Sequence, residues 1–309
     1  MQMTVLITGG AGFIGSHLAD ALLAAGYRVR VLDNLSTGKR ANLPESNALE
    51  FVHGDIRDRG TVDSVVQDID AIVHLAAVAS VQASVDDPVG THATNFDGTL
   101  HLLEAARRAG IQRFLYASSA AVYGDNTALP LAEDVVLKPL SPYAADKLAG
   151  EHYLSFYFSK HGLQTTAFRF FNIYGPRQDP SSPYSGVISI FVERVLRGEP
   201  LTIFGDGSQT RDFVYVSDLA GLLLRSLSVP STAGQVLNVG RGKQVSLLDL
   251  LAVLERLTGR TIDRRHAPAR HGDIVHSCAD TKRLQHLLGK VPDTDIAEGL
   301  GALLGSRGA

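Results

Sequence analysis

Tyr143 and Lys147 stand four residues apart in the run Ser141-Pro142-Tyr143-Ala144-Ala145-Asp146-Lys147. On a helix that spacing puts a phenol and an ammonium on one face, and Ser141 and Pro142 suit the start of such a helix. A nearby cation favours phenolate, so the pair predicts a tyrosine whose pKa falls from about 10 toward neutrality and which can move a proton. Ser118 and Ser119 close the apolar run Phe114-Leu115-Tyr116-Ala117. A hydroxyl there could relay a proton or hold a substrate oxygen, and two small hydroxyls at that point could equally form a turn. A nucleophilic role for Ser119 has little support, because no histidine is evidently placed as its base and no G-x-S-x-G elbow surrounds it.

Glycines make a second constellation. Gly10-Ala11-Gly12-Phe13-Ile14-Gly15 fits G-x-G-x-x-G, and Gly9, Gly12 and Gly15 fit the wider T-G-x-x-G-x-x-G spacing. Such a turn brings backbone N–H groups at a helix start against a pyrophosphate with no Cβ between them. Asp33 ends the next apolar run, 18 residues after Gly15. Its carboxylate can accept hydrogen bonds from adenosine ribose hydroxyls and would repel a 2′-phosphate, which favours NAD over NADP. Lys39 and Arg40 argue mildly the other way and are read as a solvated loop face. Asp55 follows the third run, where it could bond the adenine amino group or cap a turn. Leu75, Ala76 and Ala77 follow the fourth, small enough for a cofactor backbone to lie close. The expected NAD site is Gly9, Gly12, Phe13, Ile14, Gly15, Asp33, Asn34, Asp55, Ile56, Leu75, Ala76 and Ala77.

The elements that must position these groups alternate. Thr4–Thr8, Val29–Leu32, Phe51–Val52, Ala71–Leu75, Phe114–Ala117 and Thr165–Arg169 read as buried strands. Phe13–Ala25, stopped by Gly26, and a stretch from about Asn95 to Arg108 carry helical spacing. This order predicts an α/β protein with a doubly wound parallel (Rossmann) sheet, whose ligands sit beyond the carboxyl ends of its strands. The second half is less regular, with a loop rich in Pro, Ser and Gln from Gly175 to Gly186 and helical pieces at Val187–Leu196, Val216–Leu227 and Leu247–Leu257. Residues 1–175 are expected to form the dinucleotide domain, with about 213–240 returning to it, and residues 176–309 a smaller mixed α/β domain.

Composition narrows the classes. A chain of 309 residues, 45% apolar and 20% charged, is neither disordered nor fibrous. At this length it buries roughly 75% of its unfolded surface, so neither disulfide nor metal is needed for a core. The single cysteine, Cys278, excludes a disulfide framework or a multi-cysteine zinc site. A net charge of −3 gives no global field for nucleic acid or an anionic membrane. No apolar run reaches the roughly 18 residues of a membrane helix. Met1-Gln2-Met3 leads straight into a strand with no signal-peptide pattern, so a soluble cytoplasmic protein is expected.

Taken together, Thr8–Gly15, Ser118-Ser119-Ala120-Ala121-Val122-Tyr123-Gly124, Tyr143-x-x-x-Lys147 and Arg169-Phe170-Phe171-Asn172-Ile173-Tyr174-Gly175-Pro176 resemble the extended short-chain dehydrogenase/reductase family over essentially the whole chain. Three further runs resemble its nucleotide-sugar 4-epimerases: Leu201–Gly207, Gln209–Phe213 and Arg270-His271-Gly272-Asp273. The resemblance implies that Ser119 (or, less favoured, Ser118), Tyr143 and Lys147 are catalytic, with Tyr143 the base and Lys147 also a ribose ligand, and it adds Tyr143 and Lys147 to the NAD site. It implies that Asn172 holds the sugar diphosphate, Thr202 and Phe204 flank the uracil, Arg211 and Arg270 pair with phosphate, and Asp273 takes the uridine ribose. Two planar guanidinium forks suit a diphosphate. Ser84 and Ser277 complete the expected substrate site, which includes Ser119 and Tyr143 as well. Residues 176–309 are then the nucleotide-sugar-binding domain.

Two departures carry information. Where dehydratases of the family have an Asp-Glu pair, this chain has Ala120 and Ala121, leaving no acid to expel a C6 hydroxyl. His271 stands where proline is usual. The resemblance also implies that Ser277, four residues after Asp273, stands at a gate beside the sugar's C2 substituent, a position bulky in those epimerases restricted to glucose and galactose and small where N-acetyl sugars enter. The expectation is therefore NAD-dependent C4 epimerisation of a UDP-hexose through a transient 4-keto sugar, with UDP-GlcNAc and UDP-GalNAc favoured and UDP-Glc and UDP-Gal as further substrates. Alternatives are a decarboxylase, dehydratase or reductase acting on a nucleotide sugar, or a non-catalytic dinucleotide sensor. The resemblance also implies a homodimer pairing helices near Asn95–Arg108 and Tyr143–His161, and acetamido sugars suggest a cell-surface polysaccharide.

Overall fold

The structure, a computed structural model, describes residues 2–180, 186–269 and 274–308. The chain begins β1 (Thr4–Thr8), α1 (Phe13–Ala24), β2 (Arg28–Asp33), β3 (Leu49–His53), α2 (Arg59–Val65), β4 (Ala71–His74), α3 (Val81–Asp86), α4 (Pro88–His92) and α5 (Gly98–Ala109). It continues through β5 (Arg113–Ser119), α6 (Pro142–His161), β6 (Gln164–Phe170), β7 (Asn172–Tyr174), α7 (Val187–Arg197), β8 (Leu201–Phe204), β9 (Thr210–Arg211) and β10 (Phe213–Tyr215). It closes with α8 (Val216–Leu227), β11 (Gln235–Val239), β12 (Val245–Ser246), α9 (Leu247–Thr258), β13 (Arg264–Ala267), α10 (Lys282–Leu288) and α11 (Ile296–Gly305).

A seven-stranded sheet runs in the order β11-β6-β5-β4-β1-β2-β3, every neighbouring pair parallel. Parallel strands are covered on both faces, which is why β1 and β4 are buried almost along their whole length, whereas β2 alternates Arg28-Val29-Arg30-Val31 and the edge strand β3 carries an exposed Glu50. Along β1, Val5 and Ile7 face the layer containing Leu18 and Leu22 of α1 and Leu219 and Leu223 of α8. Leu6 faces the opposite layer, with Leu102 and Leu103 of α5 and Leu154 and Tyr157 of α6. The 213–240 segment lays α8 against α1 and adds β11 at the sheet edge beside β6. A separate apolar cluster joins α7, β8, α9 and α11.

The helix ends follow local chemistry. Ser141 caps α6 by accepting from Ala144 N at 3.2 Å, Pro142 occupies its first turn, and Gly162 ends it in the left-handed region at φ 72°. The helix expected from Asn95 differs at its start. Ala93–Asp97 forms a π-helical turn leading into α5, and the Asn95 side chain turns inward to bond both Val78 N and Val78 O. That bond pair ties the helix entry to the segment following β4.

His74 closes β4 inside the core, with Nδ1 2.7 Å from Thr8 Oγ1 and Nε2 2.9 Å from Thr99 Oγ1. Burial, assisted by the charge of Lys147, lowers its pKa to about 3. An unfolded chain takes up that proton below about pH 6.5, whereas the folded one refuses it until about pH 3. Stability should therefore fall with decreasing pH across this window by up to about 1.4 kcal/mol per pH unit. Urea unfolding from pH 7 to pH 4 should show a steeper loss for the wild type than for His74→Gln, and equal slopes would contradict the assignment.

Candidate active site

The turn between β1 and α1 is shaped first by the protein itself. Gly9 has φ +70°, and a Cβ on it would lie 2.8 Å from Ala76 N. A Cβ on Gly15 would lie 2.6 Å from Gly10 Cα. Gly12 differs: its backbone is extended, at φ −75° and ψ −177°, and an added Cβ would closely meet only Gly9 O, at 3.2 Å. Protein packing thus accounts for Gly9 and Gly15 but only weakly for Gly12, which heads α1 with no side-chain cap. The N–H groups of Phe13 and Ile14 lie in the first turn there, a natural seat for a pyrophosphate. The residues present fit a dinucleotide.

Asp33, at the end of β2, accepts from Ala11 N at 2.9 Å and Leu35 N at 2.8 Å, which holds its carboxylate beside the glycine turn. Asn34 Nδ2 donates to Asp55 Oδ2 at 2.8 Å. Arg57 grips both Asp55 oxygens, Nε at 3.0 Å and NH2 at 2.8 Å, and holds that carboxyl far below the usual carboxylate range. This guanidinium was not foreseen from the sequence. Lys39 pairs with Asp179 at 3.2 Å, and the Arg40 guanidinium lies over the Phe51 ring at 5.3 Å. Both basic groups are thus engaged within the protein. Leu75 N and Ala76 N bond Thr8 O and Thr8 Oγ1, at 3.1 and 3.3 Å, placing Leu75, Ala76 and the following Ala77 across from the glycine turn. Ile56 is buried against Gly98.

The structure separates the two serines. Ser118 is buried and donates to Glu151, which also receives Arg169 Nε at 3.0 Å and NH2 at 2.7 Å. Ser119 accepts from Ala121 N at 3.1 Å, and its hydroxyl draws the pKa of the Tyr143 phenol downward. Lys147, one turn after Tyr143, donates to Ala117 O at 2.7 Å, with Nζ 4.9 Å from the Tyr116 ring centre and 5.9 Å from that of Tyr143. Burial lowers its pKa to about 8, partly offset by the charge of Asp146. The expected acidification of Tyr143 is not seen. Burial pushes the phenol above its usual value, and only the Ser119 hydroxyl acts to lower it. Desolvation of the charged form outweighs a cation whose proton is already given to a carbonyl.

Ser119, Asn172, Arg211 and Ser277 line one cavity of about 190 Å³, together with Ala120, Ala121, Gly124, Asn126, Phe171 and His276. Sequence reasoning missed Asn126 and His276, which no spacing rule marks. Asp212 assembles this wall from within, accepting from Arg241 N, Gly242 N and Ala279 N at 2.8, 2.9 and 3.1 Å. It thereby fixes the strand of Arg211 to the segment carrying Ser277. Thr202 and Phe204 share one half-buried face of β8, outside the cavity lining. Ser84 is fully buried in α3 with its hydroxyl on Val81 O at 2.6 Å, also outside the lining. Arg270 and Asp273 lie outside the described residues.

Residues 5–240 match the family model of the NAD dependent epimerase/dehydratase family. A UDP-glucose 4-epimerase of Mycolicibacterium smegmatis is 42% identical over 303 residues, 96% of each chain. The structure of a UDP-N-acetylglucosamine 4-epimerase from Methanobrevibacter ruminantium, in complex with UDP-N-acetylmuramic acid, matches at a TM-score of 0.95 and 38% identity over 99% of both chains. A Thermus thermophilus UDP-glucose 4-epimerase in complex with NAD matches at 0.91 and 40% identity, over 99% of this chain and 100% of that one.

The glycine contacts separate two variants. Gly15→Ala drives a Cβ into backbone and is expected to cost about 1–3 kcal/mol of stability. Gly12→Ala should cost less than about 1 kcal/mol yet weaken NAD binding at least about tenfold (about 1.4 kcal/mol), as read by calorimetry. Retention of wild-type affinity in Gly12→Ala would remove the pyrophosphate argument. Glu151→Gln leaves Arg169 charged in the core, and denaturation should record a loss of about 3–5 kcal/mol.

Proposed function

We propose that the chain, which belongs to the NAD dependent epimerase/dehydratase family and is a UDP-sugar 4-epimerase working with NAD, interconverts UDP-GlcNAc and UDP-GalNAc and accepts UDP-Glc and UDP-Gal as well. The observation that carries the choice is Ser277, a small residue lining the same cavity as Ser119 and Asn172. An acetamido group and a phenol ring cannot share that volume, so a small gate admits both kinds of sugar. Ala120 and Ala121 in the same lining supply no carboxyl for dehydration.

Gly12, Phe13 and Ile14 would hold the dinucleotide's pyrophosphate, Asp33 its adenosine ribose, and Lys147 its nicotinamide ribose. When bound, NAD would supply hydride chemistry at the sugar's C4. Tyr143 Oη takes the proton of the C4 hydroxyl and later gives it back. Ser119 Oγ shares that hydrogen bond. Since burial raises the phenol, its ionisation rests on the Lys147 ammonium and the Ser119 bond. Asn172 and Arg211 hold the diphosphate while the 4-keto pyranose turns about it, and Thr202 and Phe204 flank the uracil. Arg270 and Asp273 complete the nucleotide end. Residues 1–175, with 213–240, serve the dinucleotide, and the remainder serves the nucleotide sugar.

A homodimer through α5 and α6 is part of the proposal. Tyr153 and Phe156 of α6 are 40% and 47% exposed, and Val89 of α4 is 79% exposed, an apolar display suited to a partner surface. Among the described residues no helix is long and apolar enough to cross a membrane. We place the enzyme in the cytoplasm, where it would supply acetamido-sugar precursors for a cell-surface polysaccharide.

Purified protein given UDP-GlcNAc without added NAD should yield a mixture with UDP-GalNAc, followed by proton NMR. Tyr143→Phe should lower kcat by roughly 100-fold or more while NAD stays bound. Ser277→Tyr should lower kcat/KM for UDP-GlcNAc by about tenfold or more while sparing UDP-Glc, since an obstructed pocket loses several kcal/mol. Failure to interconvert any UDP-hexose, net NADH formation, or CO₂ release from a uronic acid would overturn the proposal.

A further inference from the structure

Lys147 is 3% exposed, and among the described residues no carboxylate bonds it directly; Asp146, whose Oδ2 has no hydrogen-bond partner, acts on it only through space. Asp146 Oδ1 lies 2.6 Å from His92 Nδ1, and Glu151 is paired with Arg169 at 2.7 Å. An ammonium buried without a counter-ion ordinarily gives up its proton. What the protein offers instead is one carbonyl, Ala117 O at 2.7 Å, and the face of Tyr116 at 4.9 Å. Tyr116 is 1% exposed and held from both sides. The His74 ring lies 5.7 Å away, and a Cβ on Gly150 would come within 2.7 Å of the phenol's Cζ. The ring therefore has no room to turn from the ammonium, and Gly150 is the residue that lets α6 approach it.

We infer that Tyr116 is a positioning residue whose π face, in place of a directly bonded carboxylate, supplements the through-space charge of Asp146 in keeping the Lys147 ammonium charged and aimed at the Tyr143 phenol. The inference rests on the reading of Tyr143 and Lys147 as the working pair. An aromatic quadrupole attracts a desolvated cation more strongly than an exposed one, and the ring adds no charge of its own that would repel phenolate. The titratable groups around Lys147 are Tyr143, Asp146 and Glu151 on α6, Tyr116 on β5, and His74 on β4, which burial keeps neutral.

The test is a series at position 116 that keeps shape while draining π density: Tyr116→Phe, then phenylalanines carrying one and three ring fluorines, with Tyr116→Met removing the face altogether. Lys147 is titrated by NMR of the protein labelled at lysine Cε, its signal assigned by loss in Lys147→Met, and the alkaline limb of kcat is followed in parallel. Tyr116→Phe should titrate within about 0.3 pH units of the wild type. Each step of fluorination should move the lysine and the limb lower, reaching about 0.5–1.5 units in Tyr116→Met, with KM for the UDP-sugar unchanged. A lysine titration that stays fixed through the isosteric fluorinated series, or that moves as far in Tyr116→Phe as in Tyr116→Met, overturns the inference. The NMR titration needs no turnover. An inactive wild type would thus count against the substrate reading, and a fixed titration against Tyr116.

Discussion

A buried ammonium has to stay charged beside a phenol that burial keeps protonated. Both groups lose solvation at the junction of β5 and α6, and desolvation acts against the charged form of each: the lysine falls to about 8 and the tyrosine rises above its usual value. On the roles proposed for Tyr143 and Lys147, proton transfer from a sugar hydroxyl needs the opposite pairing, ammonium with phenolate. The surrounding structure supplies partners for that state with no carboxylate bonded to the ammonium among the described residues: the Ala117 carbonyl, the Tyr116 ring and the Ser119 hydroxyl.

Holding this pair requires α6 to lean closely on the end of β5. Glu151 lies one turn beyond Lys147 and accepts from Ser118 on β5 and Arg169 on β6. Arg169 in turn donates to Tyr123 at 2.9 Å, and Tyr123 donates to Asn238 of β11 at 2.6 Å. A buried ion pair is a weak source of net stability but a stringent one of geometry, since a slipped register leaves a charge unpaired. Here it spends Ser118 on structure and leaves Ser119 toward the cavity. Beside the cavity Asp212 does the corresponding work with three backbone donors, joining the end of β9, the 241–242 turn and the segment after Ser277.

Much of this was legible in the residues alone. Apolar runs without alternation mark strands covered on both faces, and Thr4–Thr8 or Phe114–Ala117 could hardly be anything else once turn glycines and helical spacing flank them. The spacing of Tyr143 and Lys147 determines a shared helix face, because 3.6 residues make a turn wherever the helix sits. Gly12 and Asp33 are likewise local signals, each tied to its own strand end.

Tertiary structure decided what depends on neighbours far along the chain. Ser118 and Ser119 are indistinguishable as a dipeptide, and only Glu151 and Arg169 tell them apart. The charge state of Tyr143 could not be read from its distance in sequence to Lys147, because burial, a many-body property, outweighs that one pair. Arg57 on Asp55, Tyr116 beneath Lys147, and Asn126 and His276 in the cavity wall carry no periodic pattern. They come together only when strands and loops converge at one edge of the sheet, so contact geometry, unlike helix spacing, has no signature in a single stretch of sequence.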